Sequence, residues 1–315
     1  MDNPLTALDS SSRDRGIAVN SYTTVLRHSK VPHKLFAAYW RDVHGPLCAR
    51  IPGLGWYVQY HFAREHDAHL WPLIDGIAPL PGYVLDGAVE IGFASAADQQ
   101  RFKAASKVLF VDEQNVFEET LCYDLPEGST TLVDYLADPC PNETDPLDRL
   151  HVHFHGEAGD SGPFNQYLCE QLAAAFLAEP AVMKLRLHLP APYDNQRPSP
   201  PSPNVRHEAP AARLHLAMLE VVFDSALARR RFFGSAAFRR AASGLAQHAR
   251  YVTPFSVSGV FTYVRDGELT LAGLRGSRPA QLIHQLGAIN QTEPDATGLF
   301  LAHENSGNGG RKRGG

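Results

Sequence analysis

The sequence VEIGFAS, residues 89–95, recurs in altered form as LEVVFDS, residues 219–225. In both copies, apolar residues dominate a short run that ends in serine, and a helical pattern follows. Serine is a preferred helix N-cap, so each copy is typical of a strand that leads directly into a helix. The offset of about 130 residues therefore predicts that the chain contains one structural unit twice.

Around the first copy, the chain predicts a unit of four strands and two helices. The predicted strands, rich in β-branched and aromatic residues, cover residues 19–27, 54–62, 87–94 and 118–125. The first helix begins near Pro32 and is ended or broken by Gly45 and Pro46, and the second follows Ser95, with Asp98 three residues on. This order of strands and helices is the βαββαβ order of ferredoxin-like folds.

Around the second copy, the same order recurs less closely. Predicted strands and helices cover residues 149–155, 164–177, 182–189, 214–223, 226–248 and 257–264. A proline-rich segment at 190–212 is predicted to be a long surface loop between the middle strands. A sheet with both helices on one face must have its other face covered, and two such sheets can cover each other. The predicted fold class is therefore α+β, with two ferredoxin-like repeats packed sheet to sheet as a pseudo-dimeric α+β barrel.

The domain boundaries follow from these patterns and from the composition of the ends. We expect a flexible N-terminus at residues 1–16, a first repeat at 17–140 and a second, divergent repeat at 145–270. A C-terminal extension with a helix is expected at 271–303, and a disordered tail at 304–315. The space between the two sheets is expected to be the cavity that takes a small molecule.

The composition is that of a soluble globular protein, with 44% hydrophobic and 20% charged residues in a chain of 315. A net charge of -5 gives no electrostatic reason to expect nucleic acid as a partner. No apolar run approaches the roughly 18 residues that a membrane span needs. Four sparse cysteines without a CxxC pair predict free thiols and a cytoplasmic protein. Fused repeats can close a barrel in one chain, so a monomer or homodimer is expected.

Polar residues on the second and third strands are the first candidates for a site. Because side chains alternate along a strand, Tyr57, Gln59 and His61 share one face, and the more apolar positions between them are expected to meet the helices. Asp86 and Glu90 on the third strand are also expected to face the barrel interior. The five residues are predicted to converge on one cavity wall, since burying such groups without a purpose is costly.

His44 is the second candidate, and two interpretations of it stay open. It precedes Gly45 and Pro46, so it can cap the end of a helix, where the helix dipole favours a cationic imidazole. Alternatively, the fixed backbone behind it directs the ring into a cavity as an acid or base.

The run HVHFH places His151, His153 and His155 on one strand face. Such a face can bind zinc or another metal if a carboxylate completes the set, or it can be a structural polar face. His188 and His215 on neighbouring strands extend the same polar lining. We expect these five histidines to bind substrate together with Tyr22, Trp40 and Gln59.

Four segments of the first half resemble the EthD family within the dimeric α+β barrel superfamily. They are WRDVHGPL at 40–47, YVQYH at 57–61, DGAVEIGF at 86–93 and DEQNVF at 112–117. Nothing in the second half equals HGPL, so a site inherited from this family would lie mainly on the first repeat. Members of the family and its relatives include cofactor-free isomerases, cyclases, dehydratases and monooxygenases, so the resemblance implies a fold more firmly than a reaction.

The leading functional expectation is a cofactor-independent enzyme that acts on a small aromatic or polyketide-like molecule by dehydration, isomerisation or cyclisation. His44 or His61 is expected to be the base, Tyr57 the donor to a developing oxyanion, and Glu90 or Asp86 the group that orients the imidazole. No GxSxG, P-loop, GxGxxG or HExxH motif supports a hydrolase, nucleotide or zinc-protease site.

Two other functions stay open. Related duplicated barrels hold haem, and the chain has 15 histidines, so a haem- or metal-dependent oxidoreductase or monooxygenase is the first alternative. A protein that binds a hydrophobic metabolite without converting it is the second, because a preorganised pocket serves either purpose.

Overall fold

The computed structural model describes residues 14–66, 70–156 and 161–301. The tail predicted at 304–315, and all but the last three residues of the N-terminus predicted at 1–16, lie outside the described residues. The boundaries given above for the two repeats stay a prediction.

Eleven strands, all paired antiparallel, are found within these ranges. They are β1 (Val19–Arg27), β2 (Trp56–Phe62), β3 (Gly87–Phe93), β4 (Phe117–Leu125), β5 (Ser129–Asp134), β6 (Asn142–Thr144), β7 (Asp148–Gly156), β8 (Val182–His188), β9 (Leu216–Phe223), β10 (Ala249–Arg265) and β11 (Glu268–Leu269). The eight predicted strands are all present; seven have ends within about two residues of the prediction, and β10 begins at Ala249, well before the predicted start at Val257.

The strand order confirms the duplicated fold. The first four strands are arranged β4-β1-β3-β2, and the corresponding strands of the second unit are arranged β10-β7-β9-β8, which is the same ferredoxin-like order. The long strand β10 pairs with β7 through its first half and with β2 through its second half. Strand β5 follows β4 in the chain and pairs with β8. Strand β10 of the second unit thus extends the first sheet, and β5, which follows the first unit, extends the second sheet. Through these pairings the two sheets close into one α+β barrel.

Helices cover the outer faces of both sheets. They are α1 (His33–Tyr39), α2 (Gly45–Ala49), α3 (Ala96–Ala105), α4 (Lys107–Glu113), α5 (Gly162–Tyr167), α6 (Ala173–Leu177), α7 (Ala226–Phe233), α8 (Ala236–Ala242), α9 (Leu271–Arg275), α10 (Ser277–Leu286) and α11 (Pro294–Leu301). The π-helical segments Trp40–His44 and Leu168–Leu172 join α1 to α2 and α5 to α6. In the part of the chain that the structure describes, none of these helices has the length and apolarity that crossing a bilayer requires.

Gly45 and Pro46 do not end the first helix, so that part of the prediction is wrong; they lie where a π-helical segment changes to an α-helical one. The backbone stays helical at His44 (φ -65°, ψ -41°) and Gly45 (φ -56°, ψ -57°) and continues to Ala49. The wider π-helical turn before Pro46 shifts the hydrogen-bond pattern, so the missing proline N–H falls at the start of a new segment, where it is tolerated. His44 is therefore an internal helical residue, and the interpretation as a C-terminal cap is also wrong.

Among the described residues, the interior of the barrel is packed with side chains where the sequence predicted a ligand cavity. Charged side chains fill it: Arg186 Nη2 lies 2.5 Å from Glu90 Oε1, and Lys184 Nζ lies 3.3 Å from Glu220 Oε1. Arg149 also pairs with Glu220. The spaces left beside these groups measure about 50 and 10 Å³, which is far below the size of ligand pockets. Burying charges in pairs satisfies them without a ligand.

The outer faces of the two sheets differ. In the second repeat, helices α5 to α8 are packed tightly on the sheet through a buried aromatic cluster of Phe176, Phe232, Phe233 and Phe238. In the first repeat, the corresponding space is only partly filled. This difference places the candidate site on the first repeat.

Candidate active site

The face of β2 that meets the helices is opposite to the predicted one. In the pairing with β3, Tyr57 lies opposite Ile91 and Gln59 lies opposite Val89. Directly opposed residues of an antiparallel pair share a face, and Val89 packs in the core under the helices. Tyr57, Gln59 and His61 therefore face the helices. The alternate residues of β2 face the barrel interior.

The predicted convergence of five polar residues on one wall is therefore wrong. Glu90 lies in the barrel interior, where its Oε1 accepts hydrogen bonds from Asn20 Nδ2 (2.8 Å) and Arg186 Nη2 (2.5 Å). Asp86 precedes β3 and accepts a hydrogen bond from the backbone N of Arg27 at 2.8 Å, and it pairs with Arg64. Both carboxylates are engaged away from His44.

A cavity of about 340 Å³ lies between the first sheet and its helices. Its volume is in the range of small-molecule pockets. The deep wall is largely apolar, and it includes Trp40 from the π-helical segment, Phe93 from β3, Phe102 from α3, Leu109 from α4 and Phe117 from β4. Such a wall suits a flat, hydrophobic ligand.

The proline-rich loop at 190–212 lines one side of this cavity. The backbone N of Ala191 donates to Asp124 O at 3.0 Å, and the backbone N of Arg206 donates to Glu118 O at 2.9 Å, so the loop runs beside β4 and covers that sheet edge. Tyr193 and Asn195, among others, line the cavity. The sequence predicted only a surface loop, because composition does not indicate which surface a loop covers.

His44 lines the cavity and is held by Asp112 at the end of α4. His44 is 6% exposed, and its Nδ1 lies 2.9 Å from Asp112 Oδ2. Tyr39 donates a second hydrogen bond to Asp112. Burial raises the pKa of Asp112, but the hydrogen bonds from His44 and Tyr39 outweigh it and hold that pKa below its usual value. An ionised Asp112 accepts a hydrogen bond from Nδ1–H of His44, so the basic lone pair of the ring is on Nε2.

Glu113, next to Asp112, is a cavity residue that the sequence analysis did not single out. Part of the Glu113 residue is exposed to solvent. Its Oε2 atom, however, is buried and has no hydrogen-bond partner among the described residues. Burial, and then the negative charge of Asp112, raise its pKa to about 8. The only signal in the sequence was the segment DEQNVF, quoted for its resemblance to a family, because two acids at a helix end usually indicate a solvated surface.

Tyr57 also lines the cavity, whereas His61 lies behind it. The Tyr57 hydroxyl accepts a hydrogen bond from Gln59 Nε2 at 2.7 Å, and burial raises its pKa well above the usual value. His61 stacks on Trp40 with ring centroids 4.3 Å apart, and its Nε2 lies 3.0 Å from Gln59 Oε1. Trp40 thus separates His61 from the cavity, and of the two predicted bases only His44 lines it.

The remaining predicted substrate-binding residues lie elsewhere. The Tyr22 hydroxyl is 2.7 Å from His151 Nδ1 inside the barrel. The other four, located on or next to strands of the second repeat, are His153, His155, His188 and His215. None of the six lines the cavity. Among the described residues, no group of three or more His, Cys, Asp or Glu side chains is arranged to hold a metal ion, so the zinc interpretation of HVHFH gains no support.

Gly45 allows the helix of His44 to approach the sheet. A Cβ atom on Gly45 would lie 2.5 Å from Tyr263 Cζ, and Tyr263 is fully buried and stacked on Tyr57 at 5.0 Å. We expect Gly45→Ala to lower the free energy of unfolding by about 1–3 kcal/mol through overpacking, measured by urea denaturation. Gly298→Ala is the control, since a Cβ there meets nothing within 4 Å; equal stability of the two variants would contradict the expectation.

Comparisons with known proteins assign no family to this chain. No family model matches the chain, and no curated protein matches it. Solved structures do match: a protein described as a candidate monooxygenase from Lactobacillus acidophilus is 9% identical, covers 78% of this chain and 96% of its own, and has a TM-score of 0.43. An anthrone oxidase-like protein is 10% identical over 78% of this chain and 92% of its own, with a TM-score of 0.46.

A chlorite dismutase from Candidatus Nitrospira defluvii in complex with imidazole is 10% identical, covers 81% of this chain and 95% of its own, and has a TM-score of 0.38. Such matches correct one expectation. The chain was expected to bind no cofactor, but chlorite dismutases are among the structures that it resembles, and haem-binding barrels were the alternative drawn from the sequence. The absence of a cofactor is therefore no longer expected. At these identities and TM-scores, the matches assign no activity to this chain.

Proposed function

We propose that this protein is an enzyme that binds a small aromatic or polyketide-like molecule in the cavity of the first repeat and removes a proton from it with His44. The observation that carries this proposal is the pair of His44 and Asp112 at an apolar cavity of about 340 Å³. A histidine whose Nδ1 donates to a carboxylate presents a basic Nε2, which is the arrangement of a general base.

The proposed step is transfer of a proton from a carbon next to a carbonyl group, or from a phenol, to His44 Nε2. The imidazolium formed is stabilised by the ionised Asp112, which Tyr39 holds in place. The apolar wall limits access of water to the reacting atoms and strengthens these electrostatic interactions. Positioned acid–base groups of this kind contribute about 10² to 10⁴ in rate.

Several reactions begin with this proton transfer, and the substrate decides which one follows. Dehydration, isomerisation and cyclisation remain the proposed classes. We also propose that the chain is related to the EthD family. Two of the segments that resemble this family are in contact, because His44 in WRDVHGPL is hydrogen-bonded to Asp112 in DEQNVF. A cytoplasmic location and a monomeric or homodimeric state stay predictions.

Solvent deuterium exchange tests this proposal without knowledge of the product. In heavy water, the protein is expected to accelerate exchange of the acidic C–H bonds of 2-tetralone or anthrone, followed by nuclear magnetic resonance. His44→Ala should abolish the acceleration, because the base is removed. His284→Ala, on the exposed face of α10, is the matched control and should exchange as the wild type does. Equal acceleration by wild type and His44→Ala would refute the role of His44.

A haem-dependent oxidoreductase is the second candidate, favoured by the same pair. An imidazole is a common protein ligand of haem iron, and a carboxylate commonly holds the other nitrogen of that ring. His44 would be the ligand here, and Asp112 would orient it. A bound haem would supply one-electron and dioxygen chemistry. Titration with haem should then give a shifted Soret band that His44→Ala loses, and an unshifted band with wild type would eliminate this candidate.

A further inference from the structure

The carboxyl group of Glu113 lacks a partner that buried polar groups nearly always have. Its Oε2 atom is buried and makes no hydrogen bond to any described residue. No Lys, Arg or His side chain in the described ranges forms an ion pair with it. The residue lines the cavity of about 340 Å³, so a ligand in that cavity is placed to supply the missing partner.

The surroundings of Glu113 favour its neutral form. Asp112 precedes it on α4, and Cys48 on α2 interacts with it electrostatically. His44, Tyr57 and Lys103 line the same cavity from three other elements, and His207 and Glu208 line it from the loop. Burial and Asp112 raise the pKa of Glu113 to about 8. At neutral pH, Glu113 is therefore protonated in most molecules. A protonated carboxyl group has one O–H to donate.

We propose that Glu113 donates a hydrogen bond to an uncharged carbonyl oxygen of the ligand, so that the site selects ketones or quinones and rejects carboxylates of the same shape. This inference rests on the proposed function, because it assumes that the cavity takes a small organic molecule. The two fit chemically: a hydrogen bond to the carbonyl oxygen stabilises the enolate that forms when His44 removes the neighbouring proton. A carboxylate ligand would instead lie near the negative charge of Asp112, which is hydrogen-bonded to His44 behind the cavity wall.

Calorimetric titration with three bicyclic probes tests this selection. The probes are tetralin, which has no acceptor, 1-tetralone, which has one carbonyl, and tetralin-1-carboxylate. At about pH 6, where Glu113 is protonated, the wild type should bind 1-tetralone roughly tenfold more tightly than tetralin and should bind the carboxylate most weakly. At about pH 9.5, above the pKa of about 8, the preference for 1-tetralone should decrease severalfold.

Two variants separate hydrogen bonding from packing. Glu113→Gln keeps an N–H donor, so it should retain the preference for 1-tetralone and lose its pH dependence. Glu113→Leu has no donor and should bind both neutral probes equally, with tetralin affinity preserved. A purely structural role of Glu113 would leave the ratio of the two affinities and its pH dependence unchanged in both variants.

The outcomes for the two proposals are distinguishable. Equal wild-type affinity for 1-tetralone and tetralin, or tighter binding of the carboxylate, would overturn the inference even if His44-dependent exchange occurs. A ketone preference that depends on Glu113 but comes without catalysed exchange would refute the proposed function and leave the inference standing. No binding of any of the three probes would refute both.

Discussion

Acidification from about pH 7 to about pH 5 is expected to destabilise the barrel steeply, by about 1.4 kcal/mol per pH unit for each buried histidine that stays neutral in the folded state. The barrel interior holds several such residues. Burial lowers the pKa of His151 to about 3 and the pKa values of His155 and His188 to about 4. It also lowers the pKa of His153 well below its usual value.

The sign of the effect follows from proton binding in the two states. In the unfolded chain these imidazoles have ordinary pKa values near 6.5. Below that pH the unfolded state binds more protons than the folded state, so stability falls as the pH falls. The loss continues until the pH reaches the folded pKa values of about 3 to 4. Arg149 and Arg186, buried in the same interior, oppose any further positive charge there.

Urea denaturation at about pH 7, 6 and 5 measures this slope. His155→Gln should reduce the slope below pH 6.5 by about 1.4 kcal/mol per pH unit, because a neutral amide replaces one titrating group and retains hydrogen-bonding capacity toward Ala212 O and Thr253. His284→Gln changes an exposed residue and should leave the slope as in the wild type. Unfolding free energies that stay constant between pH 6 and 5 would contradict the expectation.

Replacement of Asp112 by Asn is expected to lower the rate of catalysed deuterium exchange by about 10² to 10⁴. Tyr39 donates to Asp112 Oδ1, and Asn115 Nδ2 also donates to it at 3.3 Å. These two donors would keep the amide oxygen of the new residue on their side and turn its NH₂ group toward His44. The Nδ1 atom must then accept, the ring proton moves to Nε2, and the cavity loses its basic lone pair.

Asp112 acts through His44 as a positioning residue, so its replacement should lower the exchange rate without changing the affinity for ligand. The affinity for 1-tetralone should stay within about twofold of the wild type, since one carboxylate outside the ligand contact is changed for an isosteric amide. Asp295→Asn, at an exposed site on α11, is the matched control. A variant Asp112→Asn with wild-type exchange rates would show that His44 needs no orienting carboxylate.

The local pattern predicted the elements because each depends on residues close in the chain. Strand β1 spans Val19–Arg27 as predicted, and Ser95 caps α3, with its Oγ accepting from Asp98 N at 3.1 Å. The duplicated segment at 89–95 and 219–225 occupies corresponding strands, β3 and β9, each followed by a helix. Alternation and capping act over a few residues, and therefore the sequence displays them directly.

The orientation of β2 could not be predicted in this way. All seven residues of Trp56–Phe62 are buried, so both faces of the strand carry aromatic groups, and neither is marked by contact with water. A period-two pattern indicates which residues share a face, but only a contrast in polarity indicates which face is inside. The register of Tyr57 against Ile91 in β3 decides it.

The repeat, the order of strands and helices and the position of His44 in a helix are determined by the sequence. Which side of the sheet holds the cavity was decided by the tertiary structure alone. His44 meets Asp112 across 68 positions of the chain, and the loop that lines one side of the cavity comes from between β8 and β9. Contacts of this range depend on how two buried layers pack, and no local pattern of polarity records that packing.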